Sequence, residues 1–297
     1  MNTKIRPLAL LCLRAFALFF LFSACVERID INTEASPPRL VIYGFITTDT
    51  AQHAIRITRS TGYFVTEKPE GIPQATVSIG YDDKTIELKE SPMEPGLYLT
   101  SSHIFGIPGK TYTLHASLDF NGDGDLEDYE ATSFLPFPAT LDSAAVTPST
   151  LVNDFLQVVI WGNLPEESSN SFGLHLYHNN VLMNDSLQGF RIFQDDFVVN
   201  KKLIALPAFQ LDPEDEDEKL TSGDILTVQI GSFTTEYADF IGNAQQEMRG
   251  PVPLFGGPPA NIETNIRCIS PGFQPEISGF FTAYSLDRVS TVYVGIR

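Results

Sequence analysis

The sequence predicts a mainly β protein, and three observations lead there. Short runs rich in β-branched and aromatic residues recur along the chain, separated by turn residues. Several of them alternate with period two. In Tyr112–Leu118, for example, Tyr112, Leu114, Ala116 and Leu118 share one face while Thr113, His115 and Ser117 share the other, the pattern of a half-buried strand. Apolar residues at helical spacing stand out in a single segment, Thr235–Met248.

In chain order, the first series of strands is Leu40–Thr47, His53–Thr58, Ala75–Tyr81, Thr85–Lys89, Gly96–Ser101, Thr111–Leu118 and Tyr129–Leu135. Seven short strands at this spacing, with no helix between them, predict an immunoglobulin-like β-sandwich over residues 39–138, closed by the strand-breaking Pro136-Phe137-Pro138. A second series follows: Ser143–Val146, Phe155–Trp161, Phe172–His178, Phe190–Phe193, Lys202–Ala205, Asp224–Ile230, Gly279–Tyr284 and Thr291–Ile296. Between Asp224–Ile230 and Gly279–Tyr284 the helix places Tyr237, Phe240, Ile241, Ala244 and Met248 near one face, Gly250-Pro251 ends it, and Phe255–Pro259 opens a long loop. Residues 139–297 are thus expected to form a second β-rich domain with one short helix. The carboxylate run Asp212–Glu218 reads as a solvated turn, because like charges in series repel and stay wet.

The N-terminus carries an export signature. Lys4 and Arg6 precede an apolar stretch, Ala15–Phe22, which is far shorter than the roughly 18 to 20 apolar residues a membrane span requires. Phe22-Ser23-Ala24-Cys25 then approximates a lipobox, so residues 1–24 are expected to be a lipoprotein signal peptide, Cys25 the lipidated residue, and 25–38 a polar, proline-containing tether. Cys12 leaves with the signal and Cys25 takes lipid, so Cys268 has no disulfide partner within the chain. Loss of Lys4, Arg6 and Arg14 takes the formal charge from −18 to −21. Such a balance argues against nucleic acid and favours cations.

The most specific chemical motif is Asp119–Glu130. Asp119, Asn121 and Asp123 occupy positions one, three and five of a twelve-residue calcium loop, Gly124 the sharp turn at six, Asp125 the carbonyl at seven and Glu130 the closing carboxylate at twelve. Calcium takes six to eight oxygens, and a tight loop points alternate side chains inward to supply them. The flanks here are strands, where an EF-hand has helices, so the expected Ca²⁺ is structural.

Catalytic constellations are missing. His53, His103, His115, His175 and His178 form no zinc signature, and no nucleophile elbow, phosphate loop or dinucleotide fingerprint occurs. Cys268 lies in no nucleophile motif, and the aromatics Trp161, Tyr177, Tyr237, Phe255 and Phe273 are read as packing residues by default, with a ligand platform as the alternative. The expectation is a protein that is not an enzyme.

Cys25-Val26-Glu27, Leu40–Ile46, Arg56–Ser60, Ala75–Val77, Gly96–Tyr98 and Gly109–Leu114, followed late in the chain by Pro259–Ile262, Thr264–Ile266 and Gly279–Ser285, occur in a telling order. The whole resembles a Bacteroidetes outer-membrane lipoprotein family of unknown function, domain of unknown function 4249. The resemblance implies an outer-membrane location and a TonB-dependent receptor as partner, and it carries no catalytic residues over. Expected, therefore, is a non-enzymatic accessory lipoprotein that captures a ligand for, or docks on, a TonB-dependent transporter; the alternative is a calcium-stiffened structural or adhesive cell-surface protein. Val26–Asp30 carries scattered acids instead of a compact acidic run, which leaves the periplasmic or surface-facing side open.

Overall fold

The computed structural model describes residues 37–62, 67–166, 171–249 and 262–295. The signal segment, Cys25, nearly all of the tether and the loop Phe255–Pro259 lie outside them. Over the described residues the chain is mainly β with one α-helix and a sandwich-like arrangement of sheets, as its patterning requires. The first seven strands are β1 (Leu40–Thr47), β2 (Ala54–Arg59), β3 (Thr76–Tyr81), β4 (Lys84–Glu90), β5 (Leu97–Leu99), β6 (Thr111–Leu118) and β7 (Glu127–Phe134). Then come β8 (Thr140–Pro148), β9 (Leu156–Asn163), β10 (Ser171–His178), β11 (Val181–Leu182), β12 (Arg191–Gln194), β13 (Lys202–Leu211) and β14 (Ile225–Phe233). Helix α1 (Thr235–Met248), β15 (Arg267–Cys268) and β16 (Ile277–Val292) complete the order.

One hydrogen-bonded path runs β11-β10-β14-β16-β1-β2-β5-β4-β3-β6-β7-β15, with β12 beside β10, and a separate sheet has the order β13-β9-β8. The path passes from one sheet to the next at β4, which pairs with β3 through Lys84–Leu88 and with β5 through Lys89 and Glu90. Period-two alternation explains the packing: the inward residues Leu40, Ile42 and Ile46 of β1 meet Tyr112, Leu114 and Ala116 of β6 in one apolar core. Tyr98 is buried there because its hydroxyl is satisfied, accepting from the Ala75 N–H at 2.9 Å and donating to the Ile72 carbonyl at 2.8 Å. A second core lies between β9 and β13 on one side and β10 and β14 on the other, built on Val158, Ile160, Phe209, Phe172, Leu174 and Val228.

The two cores meet along β16. Its first half, Ile277–Tyr284, pairs in parallel with β1, and its second half, Ser285–Val292, pairs antiparallel with β14. The sequence suggests two strands here, Gly279–Tyr284 and Thr291–Ile296; one sixteen-residue strand is found. The reason is the polar middle. Ser285 donates to the Pro136 carbonyl, Asp287 accepts from the Leu141 N–H at 2.7 Å, and Leu286 N–H reaches Thr48 Oγ1 at 2.9 Å. These side chains hold the segment that joins the cores, so polarity marks a crossing point and not a turn. Pro38–Arg297 forms one compact unit, and Ile266, Phe281 and Ala283 from late in the chain belong to the first core.

Helix α1 keeps the bounds its spacing predicts. Thr234 caps it, its side chain accepting from the Tyr237 N–H at 3.4 Å, and Tyr237, Ala238 and Ile241 are buried, whereas Met248 at the far end is exposed. Among the described residues no helix is long and apolar enough to cross a membrane.

Candidate functional site

Two places concentrate chemistry. The first is the acidic hairpin between β6 and β7. Asp119, Asp123 and Glu127 each offer a carboxylate oxygen, and these oxygens all lie within 4.8 Å of one another, a cluster of increasing burial from exposed Asp123 to buried Glu127. Oxygens bound at about 2.4 Å from a calcium ion lie at most about 4.8 Å apart, so the spacing fits that cation. Gly124 has φ of +94°, the left-handed turn the motif requires. The loop's own N–H groups prearrange the acids: Asp119 accepts from Gly122 at 2.6 Å and Gly124 at 3.0 Å, Asp123 from Asp125 at 2.8 Å, and Glu127 from Phe120 at 3.0 Å. A carboxylate has about four lone-pair sites, so each keeps capacity for a metal.

Glu130, which the spacing makes the closing ligand, is not in this cluster. Strand β7 starts at Glu127, and alternation sends Glu127 inward and Glu130 to the opposite face. There Glu130 faces His115 at 3.7 Å and Arg267 at 3.6 Å. Glu127, ninth in the loop, takes its place. Asn121 and Asp125 stay in the loop: the Asn121 amide bonds Asp123 on both its atoms, donating at 2.8 Å and accepting at 2.9 Å, and both side chains are exposed.

The second place is a cavity of about 360 Å³ over the face of β10, β14, β16 and β1, within the usual range for small-molecule pockets of about 300–1,000 Å³. Its floor is Tyr43 and Phe45 from β1, Tyr284 from β16, Gln229 and Phe233 from β14 and His175 from β10. Its walls are Tyr237 and Ile241 of α1 and the segment Asn184–Phe190. Asn184 ties that segment to β10, accepting from the Leu176 N–H at 3.0 Å and donating to the carbonyls of Leu174 at 3.0 Å and Gly189 at 3.2 Å. Gln245 of α1 clamps it from the other side, donating to Leu187 and Phe190 carbonyls, both at 2.8 Å. Gly173 makes the wall possible, since a Cβ there would stand 2.2 Å from the Phe190 ring.

The cavity's polar atoms are nearly all engaged. The Tyr43 and Tyr237 hydroxyls bond each other at 3.0 Å. Arg288 grips Asp49 through two contacts of 2.9 and 2.5 Å and donates to Gln229 Oε1 at 2.8 Å, so its charge is spent. Burial pushes the Tyr237 and Tyr284 hydroxyls far above the ordinary tyrosine range, and they stay protonated. His175 stacks on Phe190 with centroids 4.6 Å apart; burial lowers its pKa, keeping it neutral, and its Nδ1 is buried without a hydrogen-bond partner.

The remaining candidates disperse. His178 pairs with Asp224 at 3.0 Å, and His53 is buried with Nε2 at 3.1 Å from the Ile104 carbonyl. Cys268 is a free, partly buried thiol packed at the edge of the first core, as is Phe273. Of the aromatics singled out in sequence, Tyr237 lines the cavity and Tyr177 donates at 3.4 Å to its Gln229; Phe255 lies outside the described residues. For Tyr43 and Phe45 a sequence signal exists, because β1 carries bulky apolar residues on both of its faces, more than one core requires.

A family model described as Domain of unknown function (DUF4249) matches residues 26–289. No curated protein matches the chain. Among solved structures, a DUF4785 family protein from Legionella pneumophila subsp. pneumophila str. Philadelphia 1 is similar at 10% identity and a TM-score of 0.24, over 63% of this chain and 49% of that one. The chain thus spans about half the length of that protein.

Proposed function

The chain belongs to the family described as Domain of unknown function (DUF4249), and from that premise we propose that it is a non-enzymatic accessory lipoprotein of a Bacteroidetes outer membrane, capturing a ligand for, or docking on, a TonB-dependent transporter. The observation that carries this reading is the aromatic cavity, which collects residues from four strands, a helix and a tied-down segment into one concave site. Cys25 supplies the address, since several acyl chains on one residue hold a protein that strong negative charge would otherwise keep off an anionic surface.

The second reading, a calcium-stiffened structural or adhesive surface protein, is favoured by the acidic hairpin. Asp119, Asp123 and Glu127 would hold the ion, with Asn121 and the Asp125 carbonyl as further oxygens. When bound, Ca²⁺ supplies charge neutralisation and rigidity there. The two readings are compatible in one molecule.

Affinity purification from native membranes in mild detergent tests the first reading. Recovery of a β-barrel transporter with the lipoprotein is expected; recovery of the lipoprotein alone counts against it. In the same cells Cys25→Ser is expected to leave the membrane fraction while melting like the wild type. Retention of that variant in the outer membrane would transfer the anchoring role to protein contacts.

A further inference from the structure

We propose that the aromatic cavity binds an organic cation of the methylated-ammonium class. This rests on the reading of the chain as a binding protein and names its ligand chemistry. Six rings surround the space, those of Tyr43, Phe45, Phe190, Phe233, Tyr237 and Tyr284. Ring faces carry the negative part of the aromatic quadrupole, and a box of them attracts a weakly hydrated cation.

Charge selects the sign. No lysine or arginine lines the cavity among the described residues, and the neighbouring Arg288 is held by Asp49. Among the described residues the charged side chain in the lining is Asp185, exposed at the rim. The whole chain carries −18, so an anion would enter against both the local and the overall field.

Hydrogen-bonding capacity selects the kind of cation. A primary ammonium brings three N–H donors that need acceptors on entering a partly closed site. Most acceptors within the ring box already hold a donor: Gln229 Oε1 that of Arg288, the Asn184 oxygen the Leu176 N–H, and the Tyr43 and Tyr237 hydroxyls bond each other; of the rest, His175 offers one buried Nδ1 and Asp185 a carboxylate out at the rim. A methylated ammonium asks for none of them. Its methyl groups pack on the rings while its charge meets their faces.

The test compares choline with 3,3-dimethylbutan-1-ol, which replaces the nitrogen by carbon and keeps the shape. Calorimetric titration of the full chain in a nonionic detergent, at about 0.15 M salt to screen diffuse attraction, should give choline about tenfold or more the affinity of the neutral isostere. Gly231→Leu fills the cavity, since a Cβ at Gly231 stands in ordinary contact, 3.6 Å from Leu286 and Phe233, and the rest of the side chain enters the open space. It should abolish choline binding. Tyr43→Ala, at a residue 37% exposed, should weaken it without unfolding the chain.

Equal or tighter binding of the isostere overturns the proposal, as does the absence of choline binding. Choline binding that survives Gly231→Leu places the cation elsewhere and overturns it too. Co-purification of a transporter with no choline binding removes this inference and keeps the reading it rests on. Choline binding without a transporter does the reverse for the docking part of that reading.

Discussion

Replacing Gly279 with alanine lowers the stability of the whole unit by about 3 kcal/mol or more, the range of changes that combine backbone strain with a core clash. Gly279 sits at φ of +98°, where an L side chain is strained, and opposite Ile42 in the parallel pairing with β1. An added Cβ would stand 2.1 Å from the Ile42 carbonyl oxygen. No rotamer relieves that contact, because both atoms are close to the backbone. Strand β16 must therefore move away from β1, and it contributes Phe281 and Ala283 to one core while its far end pairs with β14 beside the other. For a chain of this size the loss corresponds to a fall of about 6–12 °C in Tm. Gly231→Ala is the control, since its Cβ meets only ordinary contacts and should change Tm little. Equal Tm values for Gly279→Ala and wild type would mean that the parallel pairing contributes little to the unit.

Calcium is expected to raise Tm. With a Kd of about 10⁻⁴ M, at the tight end of extracellular modules, 10 mM calcium is about a hundredfold excess and stabilises by about 2.7 kcal/mol. That is a rise of about 5–10 °C over a chelator-treated sample. The physical source is the repulsion between buried Glu127 and its neighbours Asp119 and Asp123, which a divalent cation converts to attraction. Glu127→Gln and Asp123→Asn should remove most of the rise. Glu130→Gln should keep it, because Glu130 faces His115 and Arg267 on the other side of β7. A Tm that does not change across millimolar calcium excludes the ion, and a rise lost in Glu130→Gln but kept in Glu127→Gln restores the spacing-based ligand set.

Local order was legible from residues a few positions apart. Period two bounds β6, and the 3.6-residue spacing bounds α1. What depends on distant partners was not. The two-residue strand β15 exists through its neighbour: Arg267 and Cys268 pair with Glu130 and Tyr129 across more than a hundred residues. Ser285, Asp287 and Arg288 look like a turn until Pro136, Leu141 and Asp49 are known to be their partners. In the acidic hairpin, spacing picked out Asp119 and Asp123, but the third clustered acid was decided by where β7 begins. The cavity is the extreme case, since Tyr43, His175, Gln229 and Tyr284 come together only when β10, β14, β16 and β1 lie side by side.

Ligand capture is the claim on which the rest depends. Native mass spectrometry of the wild-type chain and Gly231→Leu, each purified from its own membranes in nonionic detergent, tests it most directly. A small-molecule adduct is expected on the wild type and is expected to be missing from Gly231→Leu, whose cavity is filled. Two adduct-free chains, or the same adduct on both, would contradict it.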